Sequence, residues 1–300
     1  MRCLVTPAGL GMALALVLWA EGVHAELRLD TGAINTALGT VGQAQGDIYK
    51  ISLPRTDLSV SIDEVKLKPR FALGSWIAFK GRGDAAVAHG DLVLTEDEVG
   101  PVLRRLEQDG ITVTALHNHL IRETPKVMYL HFWAEGDEGQ LAANLLRALI
   151  LTKTPIRKPS EAENREPKQE QDLPTREIQE VLREKGTVKD GVLSITVPRN
   201  ETITMHDLDL SPSMGMATAI NLQAGAKGKV AATGDFVLAA QEVSSVASAL
   251  TRHGIEVTAL HNHLIHPSPD LYFMHFWAHD TPDRVAQGLR AALDAMKGTP

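Results

Sequence analysis

"TALHNHLI" occupies residues 114–121, and the same eight letters return at residues 258–265, a period of 144. A repeat of that length has to be settled before any element is assigned. Shifted by 144, the chain matches itself across a whole domain. Ile34 meets Ile178, Leu38 meets Leu182, Gly42 meets Gly186, and Pro54-Arg55 meets Pro198-Arg199. Asp63 falls on Asp207, Gly81 on Gly225, Gly90-Asp91 on Gly234-Asp235, and Glu98-Val99 on Glu242-Val243. Residues 111–121 differ from 255–265 only at Thr112 and Glu256, and the run from His131 to Ala134 equals that from His275 to Ala278. The chain is a tandem duplication, with repeat 1 at residues 26–152 and repeat 2 at 175–300.

Residues 153–174, "KTPIRKPSEAENREPKQEQDLP", separate the copies. Four prolines, alternating charges and few apolar side chains leave too little surface to bury, so a flexible linker is expected. Residues 1–25 differ again. Arg2 precedes an apolar stretch at 10–20 that is too short to span a bilayer, and Val23 and Ala25 suit a cleavage site. That pattern is a secretory leader rather than a membrane anchor, and it implies a periplasmic or secreted protein without a transmembrane segment after cleavage. Cys3, the sole cysteine, lies ahead of the apolar stretch. A chain without the leader has no thiol for a disulfide or a metal, which leaves His, Asp and Glu as ligands. The net charge of −7 speaks against a nucleic-acid partner, since phosphate contacts need a basic footprint.

Each repeat reads as α+β, a mixed or antiparallel sheet with helices, and the two are expected to pack as a pseudo-two-fold dimer. In repeat 1, Ile34 and Leu38 mark a helix over residues 32–42 that ends at a glycine. Strands are expected at 48–53 and 58–62 around a turn at 54–57, then at 75–79 and 85–94. Thr95 and Glu98 form a capping box for a helix that stops at Gly110. Strands at 112–120 and 127–133 and a helix at 141–151 close the unit.

Alternation along a strand sends His117 and His119 to one face, while His131 lies on the next strand. If His131 pairs with either of them, three imidazoles converge. The same holds for His261, His263 and His275. Two histidines at i and i+2 with a third from a neighbouring strand make a workable three-imidazole metal site, with a fourth position for water or substrate. Zinc suits such ligands best, although iron, copper, nickel and manganese also accept imidazole. Asp91 and Asp235 are candidates for a fourth ligand or for orienting a histidine, with Glu98 and Glu242 behind them. A histidine in a strand is also commonly a hydrogen-bonded structural residue; the repeated triad tips the balance toward metal. Six histidines could also meet across the axis as one centre. His89, His206, His253, His266 and His279 lack counterparts and read as surface or incidental.

Other shared residues have plain explanations beside functional ones. Arg55 and Arg199 can hold an anionic substrate, but an ion pair fixing the turn is the simpler role. Trp133 and Trp277 can line a ligand face, with core packing as the default. Tyr129 is Phe273 in repeat 2, so its hydroxyl is not needed by both copies. The letters "HNH" do not make a nuclease, because in that class the name marks dispersed residues.

The stretches "GDLVLTEDEVGPVL", "GITVTALHNHLI" and "YLHFWAEGD" resemble the LppY/LpqO family of bacterial exported proteins and lipoproteins. The resemblance spans both copies and implies no established activity; Cys3 is misplaced for a lipoprotein. Two function classes stand. A metal-dependent hydrolase or lyase needs a pocket over an open coordination position. The competing class is a protein that captures a small molecule or sequesters the metal without turnover, and a sequestering protein needs a closed shell. No nucleophile elbow, phosphate loop or dinucleotide fingerprint accompanies the histidines.

Overall fold

The structure is a computed structural model that describes residues 28–156 and 173–297. The expected leader and most of the expected linker lie outside the described residues. Where the linker's ends are described, they rest on the repeats: Ile156 packs on the first core and Leu173 on the second.

Repeat 1 begins with α1 (Thr31–Leu38), whose N-cap Asp30 accepts from the Ala33 amide. It stops at Gly39, which adopts φ 69°, and so ends before the expected Gly42. A Cβ at Gly42 would lie 2.6 Å from the Ile51 side chain, so that glycine serves close strand approach. Next come β1 (Gln43–Gln45) and β2 (Ile48–Pro54). The expected strand at 58–62 shrinks to β3 (Ser61–Ile62), which pairs with β4 (Val65–Lys66) rather than with β2. After α2 (Pro69–Ala72) follow β5 (Gly74–Arg82), β6 (Ala85–Thr95), α3 (Glu96–Gln108), β7 (Thr112–His117), β8 (Val127–Gly136) and α4 (Glu138–Leu149). The capping box holds: Glu98 accepts from the Thr95 amide at 3.0 Å.

Repeat 2 retraces this path with α5 (Thr175–Leu182), β9 (Gly186–Lys189), β10 (Val192–Pro198), β11 (Ile203–Met205), β12 (Leu208–Leu210), β13 (Ala217–Ala224), β14 (Val230–Leu238), α6 (Val243–Arg252), β15 (Glu256–His261), β16 (Tyr272–Asp280) and α7 (Pro282–Lys297). Each repeat forms an antiparallel six-stranded sheet, ordered β1-β2-β5-β6-β8-β7 and β9-β10-β13-β14-β16-β15. The period is not constant. Ile51 pairs with Ile77 and Ile195 with Ile220, which sets β13 at an offset of 143 from β5. The turn at Asp63 likewise corresponds to His206, so matching Asp63 to Asp207 at a constant 144 is out by one residue.

Strand parity sorts each sheet into two faces. On the outer face of repeat 1, Ile51, Ile77, Leu92 and Phe132 join a core with Val102 and Leu106 of α3 and Leu145 of α4. The inner faces of the two sheets oppose each other. Each repeat also sends an arm across. Residues of β3, β4 and α2, among them Ile62 and Phe71, pack with Val192, Ala231 and Trp277 of repeat 2. Conversely, Met205, Leu210 and Met214 pack with Ile48, Val87 and Trp133 of repeat 1. The exchanged arms bury apolar side chains from both halves, which ties the repeats together through hydrophobic burial. The result is helices, sheet, sheet, helices, with the two inner faces enclosing side chains drawn from both repeats.

A candidate metal centre between the repeats

Across the first sheet's inner face runs one row of directly paired residues: Ser52, Trp76, Asp91, His131 and Ala115. Its counterpart in the second sheet is Thr196, Ala219, Asp235, His275 and Ala259. His131 therefore pairs with Ala115 rather than with His117 or His119, and His117 pairs with Tyr129. Parity is preserved, so the imidazoles still share a face. A register shift between Val113 and Ala115 and the end of β7 at His117 carry His119 out of the strand.

The six imidazoles meet. His117 stacks on its own counterpart His261, ring centroids 3.5 Å apart, which places this pair on the pseudo-two-fold axis. His119 stacks on His275 and His131 on His263, each at 3.8 Å, and these contacts are symmetry mates. His119 is backed by Tyr129 at 3.3 Å and His263 by Phe273 at 3.6 Å. The Thr258 hydroxyl donates to the His119 carbonyl, and Asn118 donates to the Thr258 carbonyl, so the loops carrying the histidines are stitched across the repeats.

Ring nitrogens are assigned by their partners. Nδ1 of His117 faces the Asn118 carbonyl at 3.1 Å, that of His261 the Asn262 carbonyl at 3.4 Å, and that of His275 the Gly234 carbonyl at 3.1 Å. A carbonyl only accepts, so these Nδ1 atoms carry the proton and Nε2 presents a lone pair. The Nε2 atoms of all six are buried and without a hydrogen-bond partner. Potential ligand atoms of His117, His119 and His131 lie within 4.8 Å of one another, as do those of His117, His261 and His263. Tetrahedral zinc with Zn–N near 2.0–2.1 Å needs ligand atoms about 3.3 Å apart, so a modest contraction accommodates the ion.

Asp91 stands beside them, with oxygens 3.9 Å from His131 Nε2 and 4.0 Å from His119 Nε2. Those gaps exceed a hydrogen bond, and Asp91 Oδ1 is buried without a partner. A cation about 2.0–2.2 Å from each atom would span them. Gly90 lets the strand reach this position, because a Cβ there would overlap the Trp76 carbonyl. Gly234 does the same before Asp235, against the Ala219 carbonyl.

Burial sets the charge states. It lowers His117 to about 3, helped by His261, and His261 to about 4. His119, His131, His263 and His275 are pushed well below the usual imidazole range, first by burial and then by their neighbours. Burial raises Asp91 well above the carboxylate range, with the charge of Asp235 adding to it, and raises Asp235 to about 7. Neutral imidazoles beside proton-retaining carboxyls are a cluster short of positive charge.

Other expected residues fall elsewhere. Arg55 is fully buried, donating to Glu98, Asp57 and the Val93 carbonyl. Arg199 repeats this with Glu242, Glu201 and the Val237 carbonyl. Both arginines, with Glu98 and Glu242, brace the turns after β2 and β10. Trp133 and Trp277 are packed in the inter-repeat cores, and Trp133 Nε1 donates to Glu135. His89 is no surface residue: it is fully buried, with Nδ1 2.8 Å from the Phe132 carbonyl and its ring 6.1 Å from that of His131. Lys50 and Trp76 were not singled out from sequence. The signal for Lys50 lies in "IYKIS" and that for His89 in "AAVAHGDLVL", where polar letters interrupt strands apolar on both faces, whereas nothing in "SWIAFK" marks Trp76.

A cavity of about 280 Å³ opens beside the centre, lined by His119, His131, His263, His275, Asp91 and Asp235 on one side. The fold and the site define a class: a tandem α+β protein that pools three imidazoles from each repeat. The chain belongs to the family described as "Domain of Unknown Function (DUF1259)", which matches residues 32–150 and 176–295. No curated relative matches it. Among solved structures, EtuB from Clostridium kluyveri aligns at 12% identity over 85% of this chain and 89% of that one, with a TM-score of 0.20. A trimeric bacterial microcompartment shell protein, PduB, aligns at 11% identity over 86% and 91%, with a TM-score of 0.23. Scores this low bear on neither fold nor function. Among the described residues no helix is long and apolar enough to cross a membrane.

Proposed function

We propose that this protein binds a divalent metal, zinc before others, through the histidines that meet between its repeats, and that it acts on a small molecule in the adjoining cavity as a metal-dependent hydrolase or lyase. What carries the first part is the convergence of six buried Nε2 atoms without partners. Leaving such atoms unsatisfied costs roughly 1–3 kcal/mol each, which an ion would offset. A metal there supplies Lewis acidity and an acidified water. Asp91 is placed to complete the coordination or to orient a ligand, and Asp235 faces the same cavity. The quoted sequence motifs support grouping the chain with the LppY/LpqO proteins.

The second class, a non-catalytic binder, draws support from the number of imidazoles: six exceed the three that a catalytic zinc requires. The two are separated by cobalt substitution. Azide alters the cobalt absorption if a coordination position is open and leaves it unchanged if the shell is closed.

The decisive experiment uses untagged protein and elemental mass spectrometry, with a His119→Ala/His263→Ala variant whose folding is checked by circular dichroism. About one or two equivalents of metal in the wild type, lost in the folded variant, is expected. Metal-free protein that shows no histidine-dependent zinc binding on titration overturns the proposal.

A further inference from the structure

The cavity beside the imidazoles is lined unequally by the two repeats. Next to the row bearing Asp91 lies a second row, in which Lys50 pairs with Ala78, Ala78 with His89, and His89 with Trp133. The corresponding row of repeat 2 is Ser194, Asn221, Thr233 and Trp277. Trp76 corresponds to Ala219. On the arms, Pro69 of α2 corresponds to Pro212 of the single turn at Pro212–Met214, so Arg70 answers to Ser213. Both cations therefore come from repeat 1, while repeat 2 supplies Thr196, Ala219, Asn221 and Thr233 and thereby the space.

The Lys50 ammonium donates to the Ser213 carbonyl at 2.8 Å, stands 4.2 Å over the Trp76 ring and forms no ion pair among the described residues. An ammonium has three donors and the Ser213 carbonyl takes one, so two remain for the ring face and the cavity. Arg70 holds Asp190 at 3.1 Å, but both side chains are largely exposed, and an exposed pair contributes little. Arg70 lines the cavity, and its contact with Asp190 is made through Nε. Asn221, Thr196 and Thr233 add neutral polar residues to the lining, although the Thr233 hydroxyl already donates to the Phe276 carbonyl.

We propose that this cavity is a binding site for a small oxyanion-bearing molecule, a carboxylate or a phosphate, with Lys50 and Arg70 holding the anionic group and the rest of the molecule extending toward the imidazoles. This deepens the metal-dependent reading by naming its substrate class, and it rests on that reading only for what happens at the far end. The volume lies at the small end of ligand cavities, about 300–1,000 Å³. A small metabolite fits.

The test is isothermal titration of the full chain with malonate and with inorganic phosphate, metal-loaded and chelator-treated, with metal content measured on every sample. At least one probe is expected to bind, and which one does distinguishes carboxylate from phosphate. Lys50→Gln is expected to raise Kd about tenfold or more, as loss of one charge-assisted hydrogen bond requires, without changing metal content. Lys50→Arg should restore most of the affinity. Ala219→Leu, which fills the cavity from repeat 2, should remove binding while Lys50 stays in place. Binding of neither probe, or an unchanged Kd in either Lys50→Gln or Ala219→Leu, overturns the anion site. A chain that takes up metal but shows no Lys50-dependent binding sinks this site and spares the metal centre. Lys50-dependent binding in a chain that takes up no metal does the reverse.

Discussion

Set side by side, the two repeats share a scaffold and differ in what they place on it. Asp91 and Asp235, the backing rings Tyr129 and Phe273, and all six histidines occupy equivalent positions about the axis. Beside the centre the equivalence ends: repeat 1 presents Lys50, Trp76 and His89 where repeat 2 presents Ser194, Ala219 and Thr233. The difference teaches where each constraint acts. A residue on the axis must fit a copy of itself, so the center is kept alike; a residue away from it answers only to its local surroundings.

The largest expected effect concerns what the repeats share. Arg55 and Arg199 are each locked to a buried glutamate and a backbone carbonyl. Removing one partner strands the other's charge, so Arg55→Met and Arg199→Met should each lower stability by about 3–5 kcal/mol in urea unfolding. A loss in only one repeat would break the equivalence of the two turns.

Second comes acidity, in metal-free protein. The unfolded chain protonates its histidines near pH 6.5, whereas the folded centre resists until far lower, with His261 at about 4 and His117 at about 3. Stability contributed by these groups is present above 6.5 and lost as pH falls through that window. Asp91 and Asp235 act oppositely: their raised values favour the folded state at low pH and cost stability as pH rises through about 7. Six imidazoles outnumber two carboxyls, so Tm should drop by about 10 °C between pH 7 and pH 5, read by calorimetry. A flat profile would show that the histidines are hydrated rather than buried.

The smallest effect tests a contact without a mate. Arg122 holds Glu256 through two hydrogen bonds of 2.8 Å across the repeats, while the counterparts are His266 and Thr112. Both side chains are substantially exposed. Arg122→Ala should cost less than about 1 kcal/mol, and the cost should fade with salt.

Much of this was legible in the sequence, and the reasons for the rest are physical. The duplication, the capping box at Thr95 and the shared face of the histidines follow from identity and periodicity. The pairing partner of His131 did not, because a register shift between Val113 and Ala115 leaves no mark in the letters. Nor did the length of the strand expected at 58–62, since those apolar residues are used to cross to the other repeat. His89 has no counterpart in repeat 2 to draw attention to it, yet its place inside so apolar a strand is itself the mark of a buried residue. That the six imidazoles form one centre depends on the docking of two sheets, which is a property of surfaces rather than of local pattern.

The stacking of His117 on His261 has a further consequence. A chain with one repeat could assemble the same six imidazoles only by pairing with an identical copy, and every substitution would then appear on both sides at once. A lysine would then stand on both sides of the axis, and a second tryptophan, at the place of Ala219, would fill space that the cavity now has. Joining the copies in one chain gives each half its own address, so that one can carry charge while the other provides room.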